Sequence, residues 1–317
     1  MDAALFIADI EARPDRLREA STAWAEHNPW TGMRAGRLVL LGMGSSYFAA
    51  SVAADRLQHR GVAATAVLAS TDLLPAVDAD DHVIAISAGG SSVETLAAVE
   101  ELHGRCPITV MTNVGTGTLV DLADHVVPMH AGTEAGGVAC RSFTHTQALL
   151  LLLEDHLVGG IDTSVFGHAA DAAADLLNTR GSWLAPVSEL LLGPEGTSVV
   201  APVSRLSNAR QSALMFREGP RRPAIACETG DWSHIDVYLT KTTDYRMLLL
   251  AGSRWEPQLM DWCTQRGSTV VAAGADVPGA RFTLRYRNDS DELVRLLAEI
   301  TIAESVAAGE WQRAASA

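Results

Sequence analysis

Two short stretches gather hydroxyls and glycines where an apolar run gives way to a helical pattern: Gly42-Met43-Gly44-Ser45-Ser46 and Ser87-Ala88-Gly89-Gly90-Ser91-Ser92. A turn that leaves the carboxyl end of a parallel strand and opens a helix presents unpaired N–H groups at the positive end of the helix dipole. Glycines let an anion approach, and serine hydroxyls add donors. Gly44, Ser45, Ser46, Ser87, Gly89, Ser91 and Ser92 are therefore candidate ligand-binding residues. For either turn alone, a capping serine and glycines that relieve a tight bend explain the pattern as well. Two such turns on adjacent strand–helix units favour a ligand at the strand ends. A second constellation lies further on. Glu218 closes a helical pattern, and His234 follows sixteen residues later in a stretch rich in Gly, Asp and Ser. A carboxylate and an imidazole are the pair that moves protons to and from carbon and oxygen; by spacing alone, a solvent-facing helix-end glutamate and a capping or core histidine are the plainer readings.

Other chemistries find less support. The dinucleotide fingerprint would need a third glycine where Tyr47 stands, and Asp72 is the only acid near the end of the second strand. The GK[ST] of a P-loop is absent from the sequence. His125, His130, His145 and His156 lack HExxH or His–Cys spacing, so scattered surface or helix-end histidines are expected, with no metal and no cofactor. Lys241 is the sole lysine, hence the single Schiff-base candidate, and it follows a stretch that reads as a strand end. Glu134 reads as a turn anchor. Trp183, Trp232, Trp255 and Trp262 read as packing, with Trp232 the one placed to line a pocket beside His234.

These residues need a scaffold, and the sequence supplies one. A chain of 317 residues, 48% hydrophobic, can bury a full core. Its net charge of -14 argues against nucleic acid and anionic lipid as partners. The four cysteines lack CxxC spacing, the start has no basic leader, and no apolar run approaches ~18 residues, which together point to a cytoplasmic protein with no membrane span. After about thirty helical residues, apolar runs at 37–43, 64–70, 82–88, 107–113 and 125–130 alternate with helical stretches. Their near-continuous hydrophobicity suits strands of a parallel sheet covered on both faces. The plan restarts at 196–218, where strand, serine-bearing turn and helix recur, and 245–267 and 268–276 repeat the third and fourth strands. An internal duplication follows: an N-terminal helical segment (1–35), a first subdomain (36–160), a helical connector (161–195), a second subdomain (196–305) and a tail (306–317).

The stretches "GMGSSY", "ISAGGSSVETLAAV", "TNVGTGTLVDLADHVV" and "AGTEAGGVACRSFTHTQALLLLL" resemble, in order and spacing, the sugar isomerase (SIS) domain. The likeness is nearest to the isomerase half of glucosamine-6-phosphate synthase and its deaminase and deglycase relatives. It implies an α/β protein of two SIS subdomains, each a flavodoxin-like doubly wound parallel sheet, in a homodimer with shared active sites. It also implies a sugar-phosphate or amino-sugar phosphate ligand whose phosphate is held by the two serine turns. Ser46, Ser87 and Ser92 keep their hydroxyls and Ser45 replaces a threonine. Gly89 and Ala88 stand where serine and glutamine are usual, so one phosphate donor and one sugar-contacting amide are missing. By the same resemblance Glu218 is the base between C1 and C2, and His234, in "G-D-W-S-H", assists ring opening from the partner subunit. The synthase's terminal lysine has no counterpart in "ESVAAGEWQRAASA", and the SIS unit begins almost at Met1, so glutaminase activity is not expected. The expected function is aldose–ketose isomerisation, or deamination or deglycation of an amino sugar, with a non-catalytic sugar-phosphate sensor as the alternative.

Overall fold

The computed structural model describes residues 1–34 and 36–315. Ala35, where the N-terminal segment was expected to end, and Ser316–Ala317 at the end of the tail lie outside the described residues. The chain divides into two compact units: Asp15–Glu134 with Arg141–Phe166, and Met1–Pro14 with Ala135–Cys140 and everything from Gly167 onward.

The first-sheet unit holds strands β1 (Arg37–Gly42), β2 (Ala64–Leu68), β3 (Asp81–Ile86), β4 (Ile108–Thr112) and β5 (His125–Pro128). All pair in parallel, in the order β2-β1-β3-β4-β5. Between them run α3 (Gly44–His59), α4 (Val93–Leu102) and the short α5 (Thr118–Asp121), preceded by α2 (Arg13–Glu26) and followed by α6 (Arg141–Val158), whereas α1 (Ala3–Glu11) belongs to the other unit. Residues β1 and β3 contribute are buried on both faces, which is why their sequences read as unbroken apolar runs. One face packs α4 through Ala98, Val99 and Leu102 onto Val39, Val83 and Val110; α3 and α6 pair with each other, α3 lying on β1 and β2.

The second-sheet unit repeats the plan. After α7 (Val165–Asn178) and α8 (Arg180–Leu191) come β6 (Thr197–Ala201), α9 (Leu206–Glu218), β7 (Ala224–Glu228), β8 (Arg246–Leu250), α10 (Glu256–Gln265), β9 (Thr269–Ala273), β10 (Phe282–Leu284), α11 (Glu292–Ala298) and α12 (Ile300–Ala315). Its sheet is parallel in the order β10-β9-β8-β6-β7. Counted from each unit's own first strand, both sheets run second, first, third, fourth, fifth, so the duplication is visible in topology. One face carries α8, α9 and α12. The other carries the segment after β7 and α10, whose Trp232, Val237, Leu259, Met260 and Cys263 pack on Val200, Met247 and Leu249.

Several expectations change. The N-terminal helical stretch is two helices; Asp2 caps the first by accepting from Leu5 N at 2.9 Å. Buried Arg13 donates to Thr301, Cys140 and Glu304, tying the helix junction to α12 within the second-sheet unit. The stretch before Lys241 is not a strand but a 3-10 helix, Asp236–Lys241. Arg266 donates to Val237 O and Thr240 Oγ1, and Thr240 Oγ1 donates to Val237 O, contacts that a strand would not offer. None of the four cysteines forms a disulfide.

Candidate functional site

In a sheet of order 2-1-3-4-5 the chain leaves the first and third strands in opposite directions, and the crevice between their carboxyl ends is where ligands sit. Both serine turns of the first-sheet unit occupy that crevice. Gly42 pairs with Ile86 at the ends of β1 and β3, so the turns emerge from neighbouring strands about 4.8 Å apart. Gly44 (φ +48°) and Gly90 (φ +63°) take left-handed backbone that side chains rarely adopt, and a Cβ at 90 would also stand 2.6 Å from Val114. Helix α3 starts at Gly44 behind Met43, which gives it no side-chain cap. Ser46 N and Tyr47 N turn back to Met43 O, at 3.0 and 3.4 Å, which leaves the amides of Gly44 and Ser45 and the hydroxyls of Ser45 and Ser46 for a ligand.

The second turn divides its labour. Ser92 caps α4: its hydroxyl accepts from Thr95 N at 3.2 Å and Thr95 Oγ1 at 3.0 Å, and donates to Glu94 at 3.0 Å. The plainer capping role therefore accounts for Ser92. Ser87, almost buried, ends β3 with its N–H on Met111 O, and its hydroxyl makes no bond within the described residues. At Gly89 the backbone does not demand glycine, and a Cβ there would meet only Ser91 Oγ, at 3.6 Å. The Ser91 hydroxyl thus sits beside the place a serine at 89 would use.

Neighbouring loops are braced by residues that the sequence had not marked as part of the site. Thr112 Oγ1 and Asn113 N both donate to Ala88 O; Asn113 Nδ2 donates to Gly132 O at 2.6 Å, and its Oδ1 accepts from Ala131 N. Arg141 donates to Ala131 O and Thr133 O. Glu134 accepts from Ser142 N at 3.0 Å and Ser142 Oγ at 2.6 Å, which anchors the turn into α6. A cleft of about 440 Å³ opens beside these loops, bordered by Arg16, Asn113, Val114, Met129 and His130. The signal for Asn113 lay in the motif "TNVG", but an asparagine bracing two loops carries no spacing of its own.

The corresponding crevice of the second-sheet unit is filled by the chain itself. Arg205, buried after β6, donates to Ala251 O behind β8 and to Glu299 at 2.5 Å. Glu256 accepts from Gly252 N and Ser253 N, the amides an anion would take, and Ser204 donates to Glu292. Tyr286 closes the network with a 2.9 Å bond to Glu299. A guanidinium and three carboxylates stand where the first sheet leaves donors open.

Glu218 and His234 both belong to the second-sheet unit, and the fold keeps them apart. Helix α9 runs back from the carboxyl end of β6 and ends with Glu218 before the amino end of β7, on the face shared with α12. His234 follows β7 on the opposite face, behind a 3-10 turn (Asp231–Ser233) whose start is held by Glu228 accepting from Gly230 N and Asp231 N. The sheet with its two side-chain layers separates them by far more than the ~3 Å of a direct proton transfer. Glu218 is half-buried, and dehydration pushes its carboxyl above the usual range. His234 is exposed; beside it Asp236 is also pushed up, by burial and then by Asp231.

The remaining expectations settle as follows. Trp232 does not line a pocket: it is fully buried, and its Nε1 donates to Tyr245 Oη at 2.7 Å. Trp183 is core, whereas Trp255 and Trp262 are partly exposed under Arg254 and Arg266. His145, expected at a surface or helix end, is buried within α6 with Nδ1 2.8 Å from Met129 O. Lys241 is exposed, its Nζ 5.7 Å from the Tyr238 ring centre. Among the described residues there is no group of three or more His, Cys, Asp or Glu able to hold a metal, and no helix long and apolar enough to cross a membrane.

Residues 33–154 match the family model described as the SIS domain. Over 307 residues, 92% of this chain, the sequence is 30% identical to the isomerizing glutamine–fructose-6-phosphate aminotransferase of Pyrococcus horikoshii, covering 50% of that protein. The chain spans half or less of the length of the first curated relatives it matches. The tagatose-6-phosphate ketose/aldose isomerase of Escherichia coli superposes with a TM-score of 0.79 at 18% identity, over 99% of this chain and 95% of the other. The glucosamine-6-phosphate deaminase of Thermotoga maritima does so at 0.73 and 16%, over 98% and 95%. At such identities these two likenesses establish the fold. The chain carries a SIS domain and is homologous to the isomerizing aminotransferases over the part they share.

Proposed function

We propose that the protein is an enzyme of the phosphosugar isomerase class, acting on a ring-opened sugar phosphate or amino-sugar phosphate by aldose–ketose isomerisation or by the closely related deamination or deglycation. The observation that carries this reading is the contrast between the two crevices. The first offers the open hydroxyls of Ser45, Ser46, Ser87 and Ser91 with the Gly44 and Ser45 amides at the start of α3, while the second is already satisfied by Arg205, Glu256 and Glu292. The serine turns hold the anionic or polyol end of the ligand. Glu218 takes the proton from the carbon next to the carbonyl and returns it to the neighbouring carbon, and burial, by raising its carboxyl, makes it a stronger base for that step. His234 donates to and accepts from the ring oxygen during opening.

Because Glu218 and His234 lie on opposite faces of one sheet, a site that uses both draws them from two copies of the chain. The surface around His234 suits such a contact: Ile235 is 51% exposed, Tyr238 62% and Leu239 40%, beside edge strand β7. We therefore read the working form as a homodimer. Glutaminase chemistry has no assigned residues in this scheme. The test is incubation with a panel of hexose phosphates, amino-hexose phosphates and fructosamine phosphates in deuterated water, followed by mass spectrometry. Interconversion or loss of the amine, with deuterium at C1 or C2, is the expected result. Tight binding of the same compounds without turnover or exchange would replace the enzyme by a sugar-phosphate sensor, and absence of binding would remove both.

A further inference from the structure

Helix α12 reaches the end of α9 through one large side chain. The indole of Trp311 lies so near Gly219, the residue after Glu218, that a Cβ built there would stand 3.1 Å from Cε3 and 3.5 Å from Cδ2. On its other side the ring meets Phe6 of α1, with centroids 6.2 Å apart and planes tilted by 48°. Phe6 is fully buried, whereas Trp311 is half-buried. The indole is thus wedged between α1 and the last turn of α9 and keeps one part exposed. A tryptophan of this kind brings a large apolar surface to a place where water would otherwise stand.

We propose that Trp311 is a positioning residue for Glu218: its indole closes the last turn of α9 against α12 and keeps water from one side of the carboxylate. The proposal rests on the reading of Glu218 as the base. The charges around this corner do not supply an alternative cause. Arg222 and Arg313 both pair with Glu310, at 3.3 and 2.7 Å, which leaves one net positive charge near Trp311, and a positive charge lowers a nearby carboxyl rather than raising it. Glu11 of α1 pairs with Arg180 of α8, and Asp9 accepts from Gly136 N. At the far end of α9, Arg205 pairs with Glu299, while Glu228 of β7 is spent on Gly230 and Asp231. Arg217 and Arg221 flank Glu218 in sequence; Arg217 donates back to Ala213 O. Burial alone accounts for the raised carboxyl of Glu218.

The test reads Glu218 directly. In the full chain with 13C-carboxyl-labelled glutamate, the Glu218 resonance is assigned by its loss in Glu218→Gln and titrated without any ligand. Trp311→Ala is expected to lower the titration midpoint toward that of an ordinary glutamate, and Trp311→Phe to lower it by less. With whichever sugar phosphate the panel shows to be turned over, the acid limb of kcat moves to lower pH in the same order, and kcat falls about tenfold at unchanged KM. A midpoint unchanged in either variant that folds, judged by amide spectrum and thermal melt, overturns the proposal. The two readings fail separately. Unchanged turnover in Glu218→Gln removes the base but not the solvent shield, and an unmoved midpoint removes the shield but not the base.

Discussion

Mixing two inactive variants offers the sharpest test of the shared site. Glu218→Gln removes the proposed base and His234→Ala removes the ring-opening group. Each homodimer should lose about 10²–10⁴ in kcat. The fold puts the two residues on opposite faces of a parallel sheet in one chain, so each site would combine Glu218 of one copy with His234 of the other. In a heterodimer of the two variants, one site then receives both altered residues and the other receives neither. If copies re-associate at random through a twofold interface, half of the dimers are mixed and half of their sites are intact, so activity returns to about a quarter of wild type. The experiment unfolds and refolds an equimolar mixture of differently tagged chains, isolates the doubly tagged dimers, and measures turnover of the identified substrate. Doubly tagged dimers should show about half of wild-type activity per dimer. If they form in good yield and remain as inactive as their parents, each site takes both residues from one chain, and the reasoning from the two faces is wrong.

Four further outcomes follow from the same geometry. Ser87→Ala should weaken a sugar phosphate by about 1.5–3 kcal/mol while barely affecting its unphosphorylated counterpart, measured by calorimetry; equal weakening of both would assign the turn to a polyol. Gly89→Ser should fold normally, because a Cβ there meets only Ser91 Oγ at 3.6 Å, and should tighten phosphate binding by supplying another hydroxyl; a loss of affinity would mean that ligand atoms occupy that space. Lys241→Arg should keep most activity, and borohydride with substrate should trap no adduct, since this lysine is exposed on a 3-10 helix; a stable mass increase at Lys241 would restore a Schiff-base route. Arg205→Met should cost about 3–5 kcal/mol in urea unfolding by stranding buried Glu299, while ligand affinity at the first-sheet turns is retained; a small loss would show that Glu299 finds another partner.

What could be read from the sequence tracks how strongly each segment's own chemistry determines its structure. In the first sheet, edge strands β2 and β5, only partly buried, were legible from apolar side chains that are continuous all the same. Strands β1, β3 and β4 were legible because they are buried on both faces and read as apolar runs. In the second sheet the third and fourth strands were legible for the same reason. Edge strands β7 and β10 were not: Ile225 is 42% exposed, and β10 has three residues. The serine turns stood out because two of them fall on adjacent strand–helix units, whereas either alone reads equally well as a capped helix start. Ser92 shows the limit of that signal, since capping and ligand binding demand the same hydroxyl. Trp232 was misread for a related reason. Two residues from His234 along a loop means adjacent in sequence, but a buried Tyr245 oxygen accepting the indole N–H turned that side chain into the core.

The second sheet explains why a duplicated fold does not require a duplicated site. Its topology is that of the first, and its first turn, "APVSRLSN", again joins a strand to a helix through small polar residues. Arg205 changes what the turn can do. A guanidinium at the switch point needs a carboxylate, which Glu299 supplies to Nη1 from the end of α11, and Nη2 takes Ala251 O. Glu256 then occupies the N–H groups at the next turn as an anion would. An incoming phosphate would have to displace a buried ion pair and a capping carboxylate, and breaking such a pair costs several kcal/mol before any new bond forms. The crevice is thus occupied by the chain's own side chains. The same unit is left free to contribute through the far end of α9, where Glu218 sits, and through the loop after β7, where His234 sits. The proposed binding groups lie at the first sheet's switch point, where hydroxyls stay unpaired, whereas the second sheet's switch point is occupied by its own side chains.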